Sequence, residues 1–243
     1  MRTKLAFAIA AALGLGGVQV ATAADMPVKA RAPVAVAAPA WNWTGCYVGV
    51  NGGGGWGTKS WRDPNLAGIE FSNHHVSGGL AGGQIGCNYQ TSSYVFGLEG
   101  EADWANIQGS ALDTLSAGTL TDHSKIDFIA TFAGRFGLAW GRALLYVKGG
   151  GAYAHDKYWT IVNASGATFY SASQGRTGWL VGVGSEYAFD SNWSGKLEYD
   201  YIDFGTHSAT FAGGTFPGAP FPFDINQRVS LIKVGVNYRF GAR

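Results

Sequence analysis

In six segments of this chain every charge falls on one of two alternating sets of residues. Side chains alternate across a β-strand. Over residues 94–104, 125–138, 144–155, 176–189, 193–201 and 229–240, one set collects Glu99, Glu101, Asp103, Lys125, Asp127, Arg135, Lys148, Arg176, Glu186, Lys196, Glu198, Asp200, Lys233 and Arg239. The other set holds only Gly, Ala, Val, Leu, Ile, Phe, Tyr, Trp, Ser, Thr and one terminal His. A charge-free face backed by a polar face is the pattern of a transmembrane β-barrel, apolar towards lipid and polar inside. A soluble ligand-carrying barrel inverts it, with an apolar cavity and a wet exterior.

The N-terminus agrees. Met1–Lys4 is a short basic region, Leu5–Val20 is apolar but too short to span a bilayer, and Ala21-Thr22-Ala23 is a small-x-small cleavage signal. Residues 1–23 are read as an export signal, with cleavage after Ala23 or Ala24. Losing Arg2 and Lys4 takes the formal net charge from +1 to −1, which offers no field for nucleic acid. Residues 24–40, with three of the seven prolines, read as a Pro/Ala-rich periplasmic leader placed to reach peptidoglycan.

Residues 41–243 read as one all-β domain, an eight-stranded antiparallel up-and-down transmembrane β-barrel. The expected strands are 45–56, 76–89, 94–104, 125–138, 144–155, 176–189, 193–201 and 229–240. Short connections (90–93, 139–143 and 190–192) alternate with long ones (57–75, 105–124, 156–175 and 202–227), as periplasmic turns alternate with external loops. Outward Trp, Tyr and Phe gather at the segment ends, as at two membrane interfaces. The 38 glycines fit turns, bulges and the narrow inside of a small barrel.

Eight strands enclose a lumen that side chains just fill. Glu99, Glu101, Asp103, Arg135, Lys148, Glu186, Lys196, Glu198 and Lys233 are therefore expected to pair in an internal ion network, and balanced charge there favours a plug over an open pore. Cys46 and Cys87 share the lipid-facing set, opposite one another in the first hairpin. Two readings stay open for them, a cross-strand disulfide in an oxidising compartment or two small apolar neighbours. No catalytic set stands at a recognisable spacing, so no enzyme, metal or cofactor is expected. Gly52-x-Gly54-x-x-Gly57 matches a dinucleotide fingerprint in spelling only, since no helix follows it.

The runs Gly178–Phe189, Asn192-Trp193-Ser194, Lys196–Tyr199 and Asp203-Phe204-Gly205 resemble the small outer-membrane β-barrel proteins of alphaproteobacteria, as do Gly45–Gly49 and Val234–Phe240. That family includes porin-like surface antigens and haemin-binding proteins. Segments 94–104 and 234–240 are also similar to the OmpA transmembrane domain. The resemblance implies an eight-stranded barrel in a Gram-negative outer membrane. Ala133 departs from it, standing where a second inward Arg is expected, which implies a thinner ion network. The outward Ile232, Val234, Val236, Tyr238 and Phe240 resemble the C-terminal signal read by the barrel assembly machinery, here followed by Gly241-Ala242-Arg243.

The expected role is structural, contributing to envelope integrity and surface display, with outer-membrane lipid and lipopolysaccharide as surroundings. Two alternatives are a haemin receptor and a small porin-like channel. The resemblance makes His74, His75, His123, His155 and His207, all in or beside the long connections, candidate haemin ligands.

Overall fold

The computed structural model describes residues 41–62, 70–112, 118–211 and 221–240. The export signal, the leader and the last three residues lie outside the described residues. Eight antiparallel strands, β1 (Gly45–Arg62), β2 (Glu70–Thr91), β3 (Tyr94–Leu112), β4 (Leu120–Trp140), β5 (Ala143–Val162), β6 (Thr168–Ala188), β7 (Trp193–Phe211) and β8 (Phe221–Phe240), follow one another around a closed barrel. β1 pairs with β2 on one side and β8 on the other, so neither edge is left at the periplasmic end. Two periplasmic links are two-residue hairpins, Ser92-Ser93 and Gly141-Arg142. Each takes a left-handed first residue (φ 55° at Ser92, 56° at Gly141), which matches the twist of the flanking strands.

The alternation expected for the segments is seen as burial. On β8, Leu231, Lys233, Asn237 and Arg239 are buried, while Ile232, Val234, Val236, Tyr238 and Phe240 are exposed. Outward aromatics form two belts. Tyr89, Tyr94, Trp140, Tyr187 and Trp193 ring the periplasmic end, and Trp56, Trp104, Tyr153 and Trp179 the outer one, with the Trp179 and Tyr201 rings 5.8 Å apart. The eight residue steps from Trp179 to Tyr187 span about 21 Å at the usual rise and tilt, which fits the apolar band of such barrels.

Two expectations need correcting. The strands run well past the outer belt, and much of the segments read as long loops (57–75, 105–124, 156–175 and 202–227) is strand. Beyond the lipid a strand needs no apolar outer face, so the alternation that marks it within the membrane fades. The second correction is local. A bulge between Ile126 and Phe128 shifts the β4 register by one residue and exchanges its faces. Ile126 is fully buried inside, whereas Asp127 points out and pairs with Lys157 Nζ (2.7 Å) and His155 Nδ1 (2.6 Å). Lys125, also expected inside, is only partly buried on the same outer side.

Candidate functional site

The luminal residues of successive strands change character at the same heights. From the periplasm outwards, β5 presents Leu144, Tyr146 and Lys148, then Ala152 and Ala154, then Asp156, Tyr158 and Thr160, all buried. β7 presents Ser194, Lys196, Glu198 and Asp200, then Ile202 and Phe204, and β8 presents Arg239, Asn237 and Lys233, then Leu231 and Val229, then Gln227. Side chains on one face of a strand stack at two-residue intervals. The lumen is thus layered as an apolar floor, an ionic tier, an apolar layer and a second ionic tier.

The floor is made by residues just before β1. Trp43 is fully buried among Val95, Ala139, Leu144, Tyr146 and Ala188, with Trp41 packed beside it. The Trp43 amide donates to Gln90 Oε1 (2.6 Å), and Arg239 donates to the Asn42 carbonyl while its guanidinium lies 4.1 Å above the Trp41 ring. These contacts hold the segment across the periplasmic mouth.

The lower ionic tier centres on Glu101. Its carboxylate accepts from Lys196 Nζ (2.6 Å), Lys148 Nζ (2.9 Å) and Lys233 Nζ. Lys148 also reaches Glu198 (2.6 Å) and Asp200 (3.2 Å), and Lys233 reaches Asp200 (2.8 Å) and Glu198 (3.2 Å). Below them Arg135 bridges Glu99 (3.1 Å) and Glu186 (2.9 Å). Its guanidinium lies over the Tyr146 ring at 3.9 Å, and Tyr47 and Tyr146 donate to Glu99 and Glu198, each at 2.7 Å. The two rings lie flat on the wall because the facing residues are glycines. A Cβ on Gly86 would come within 2.4 Å of the Tyr47 hydroxyl oxygen, and one on Gly184 within 2.4 Å of the Tyr146 ring. Asp103, the remaining residue of the expected network, is buried against the wall at Gly82.

A polar chain completes the tier. Asn51 donates to Gln84 (2.9 Å), Gln84 to Asn237 (2.7 Å), and Asn237 and Ser194 to Glu186 (2.9 and 2.5 Å). Charges removed from water are tolerated when paired and hydrogen-bonded in this way. Glu99, Glu101 and Glu198 are close enough to share an ion, and among the described residues no other set of three ligand-type side chains is. Lys148, Lys196 and Lys233 already supply the positive charge there, so the donor set is that of an ion-pair cluster.

The apolar layer above includes Leu80, Ile107, Ile126, Ile129, Ala133, Leu180, Ile202, Phe204, Val229 and Leu231 in one cluster. Ile107 and Leu231 reach across to β1, where a Cβ on Gly55 would lie 2.6 Å from each. Ala133, the departure noted in the sequence, belongs to this layer. The upper tier follows. Lys59 Nζ pairs with Asp156 (2.9 Å), Arg176 Nε lies 3.3 Å from the same carboxylate, and both cations face the Tyr158 ring. In the sequence reading Lys59 and Asp156 fall in the long connections 57–75 and 156–175. Each keeps the parity of the inward residues below it, but past the aromatic belt both strand faces carry polar groups and parity no longer singles them out.

On the lipid side, Cys46 and Cys87 are direct cross-strand partners and are joined by a disulfide. The five histidines lie on β2, β4, β5 and β7. His123 stacks on Trp159 at 5.2 Å, His155 sits between Asp127 and Ser173, and His207 contacts the Thr177 carbonyl at 3.2 Å. His75 is exposed, and the His74 side chain lies outside the described residues. Each histidine with a contact is engaged by a different neighbour, and the structure does not bring these together as one ligand set.

The chain has known relatives. The family model for the outer membrane protein beta-barrel domain matches residues 8–240. The 31 kDa outer-membrane immunogenic protein of Brucella melitensis is 30% identical over 210 residues, covering 82% of this chain and 84% of that protein. The 25 kDa outer-membrane immunogenic protein of Brucella abortus is 28% identical over 202 residues, covering 82% and 80%. Among solved structures, the outer membrane protein OprG of Pseudomonas aeruginosa aligns over 82% of this chain and 99% of its own, at 14% identity and a TM-score of 0.48. This chain belongs to the outer membrane protein beta-barrel domain family and resides in the Gram-negative outer membrane.

Proposed function

We propose that this protein is a structural element of the outer membrane, strengthening the envelope and displaying its outer strand ends and loops at the cell surface. One observation carries the reading: the lumen is closed at four heights, by Trp43, by the Glu101 tier, by the apolar layer and by the Lys59–Asp156 tier. Moving a hydrated ion through the apolar layer would strip its water with no charge there to replace it. The two aromatic belts fix the barrel's height in lipid and lipopolysaccharide, and the apolar, aromatic-ended β8 supplies the surface that the assembly machinery reads. The immunogenic relatives support display, since an antigen of the envelope has to be reachable.

The test combines deletion with complementation. Loss of the gene is expected to raise sensitivity to detergent with EDTA, and the wild-type chain is expected to restore resistance. Protease treatment of whole cells is expected to cut the exposed ends. An envelope unchanged by deletion, or a single-channel current from the purified barrel, overturns the reading.

A further inference from the structure

The ring of hydrogen bonds is complete near the periplasm and incomplete above the outer belt. β6 and β7 pair from Ala188–Ser194 up to Trp179–Asp203, and no further pair forms between them among the described residues. Yet β6 continues back to Thr168 on β5, and β7 on to Phe211 on β8. A bulge at Asp203–Thr206, turned by left-handed Gly205 (φ 64°), carries β7 away. On the opposite side of the ring, the β2–β3 ladder ends at Ser77–Gln108 while β3 runs on to Leu112. The outer half is therefore two four-stranded leaves, β7-β8-β1-β2 and β3-β4-β5-β6.

Across the longer seam, side chains stand in for the ladder. Gln174 Nε2 donates to the Ser208 carbonyl (3.2 Å), and His207 Nε2 meets the Thr177 carbonyl (3.2 Å). Behind the seam, Arg176 donates Nη1 to the Ile225 carbonyl (2.9 Å) and holds Nε 3.3 Å from Asp156 as an ion pair, while neither Nε nor Nη2 has a hydrogen-bond partner. Gln227, fully buried and the direct cross-strand neighbour of Lys59, makes no hydrogen bond through either amide atom. Buried polar groups are ordinarily paired, so each such orphan asks for an explanation. The next carboxylate up, Asp122, is engaged by Thr160 (2.6 Å). Phe204, Ile202 and Ile225 make the adjoining wall apolar.

We propose that the two leaves part along the β6–β7 seam to bind a single-chain anionic amphiphile of the fatty-carboxylate type. The Arg176 guanidinium and the Gln227 amide take the carboxylate. The chain runs along Phe204 and out through the seam, which opens at the height of Trp179 and Tyr201, where the interface supplies such molecules. Spare N–H donors on a cationic side chain select an oxyanion, and the apolar wall selects a hydrocarbon tail. The seam is a part of the wall that can move, because among the described residues the side-chain bonds of Gln174 and His207 stand there in place of a backbone ladder.

The probe is dansylaminoundecanoate, read by energy transfer from the barrel's tryptophans in lipid nanodiscs with empty discs subtracted. The wild-type barrel is expected to give a saturable signal that oleate displaces and oleyl alcohol does not. Arg176→Gln and Gln227→Leu are each expected to weaken binding by about tenfold, the scale of one charge-assisted hydrogen bond. Gln227→Leu breaks no ion pair, so it keeps the test open should Arg176→Gln fail to fold. A disulfide between Gln174→Cys and Ser208→Cys is expected to abolish binding until it is reduced, with reduced wild type as the control. Unsaturable transfer, equal displacement by the alcohol, or undiminished binding in Gln227→Leu and in the locked barrel overturns the proposal.

Discussion

Replacing Lys233 by Met tests whether the lower tier is one interdependent unit. Lys233 is fully buried and lies within 3.2 Å of three carboxylates, Glu101, Glu198 and Asp200. Methionine preserves most of its length and removes the charge. Those carboxylates keep Lys148 and Lys196 near them but lose their shared partner on β8. Removing one member of a buried pair costs about 3–5 kcal/mol, because the uncompensated charge stays behind. With an m-value of about 2 kcal/mol/M, the urea midpoint should fall by about 1.5–2.5 M. The assay is urea titration of the barrel in short-chain lipid vesicles, scored by the heat-modifiable shift between folded and unfolded bands. Adding Glu101→Gln removes partners on both sides, so the double variant should be less destabilised than the two single losses combined. A reference comes from Arg228→Met, since Arg228 is 56% exposed in its pair with Asp203; such a pair is worth about 0–1 kcal/mol. A Lys233→Met shift as small as that of Arg228→Met, or strict additivity with Glu101→Gln, would refute the claim of a coupled tier.

Other outcomes follow from the layering. Trp43→Ala should cost about 3–5 kcal/mol in the same titration, the usual loss for a fully buried tryptophan, and a change under 1 kcal/mol would show that the floor is not part of the fold. Val183 faces lipid midway between Trp179 and Tyr187, so Val183→Arg should cost about 2–4 kcal/mol, whereas Thr177→Arg, beyond the belt, should cost about 0–1; equal costs would misplace the membrane. Thiol titration of unreduced, denatured protein should find no free cysteine. Reduction should remove about 3–4 kcal/mol, the chain-entropy value for a separation of 41 residues.

How much of this was legible in the sequence depends on which solvent each residue meets. Within the bilayer, lipid forbids charge on one face and the narrow lumen collects it on the other, so Glu99, Glu101, Lys148, Glu186, Lys196, Glu198 and Lys233 could be read from parity alone. Which pairs with which could not, because partners such as Glu101 and Lys233 come together only through closure of the ring and its stagger. Cys46 and Cys87 were locatable because a single hairpin sets their register. At Ile126 a single bulge residue inverts the pattern, and nothing in the local composition marks it. Trp43 lies before the first strand, where parity says nothing. Lys59, Asp156 and Gln227 lie beyond the belt, where both faces of a strand are free to carry polar groups. What parity detects is therefore the hydrocarbon's exclusion of charge rather than the strand itself. It stops at the height where the strands stop being bathed in lipid, which is also where the ladder between β6 and β7 ends. Above that height lipid no longer forbids an unpaired backbone edge, since water can satisfy it, and the barrel can divide into two leaves without the penalty that would close it inside the membrane.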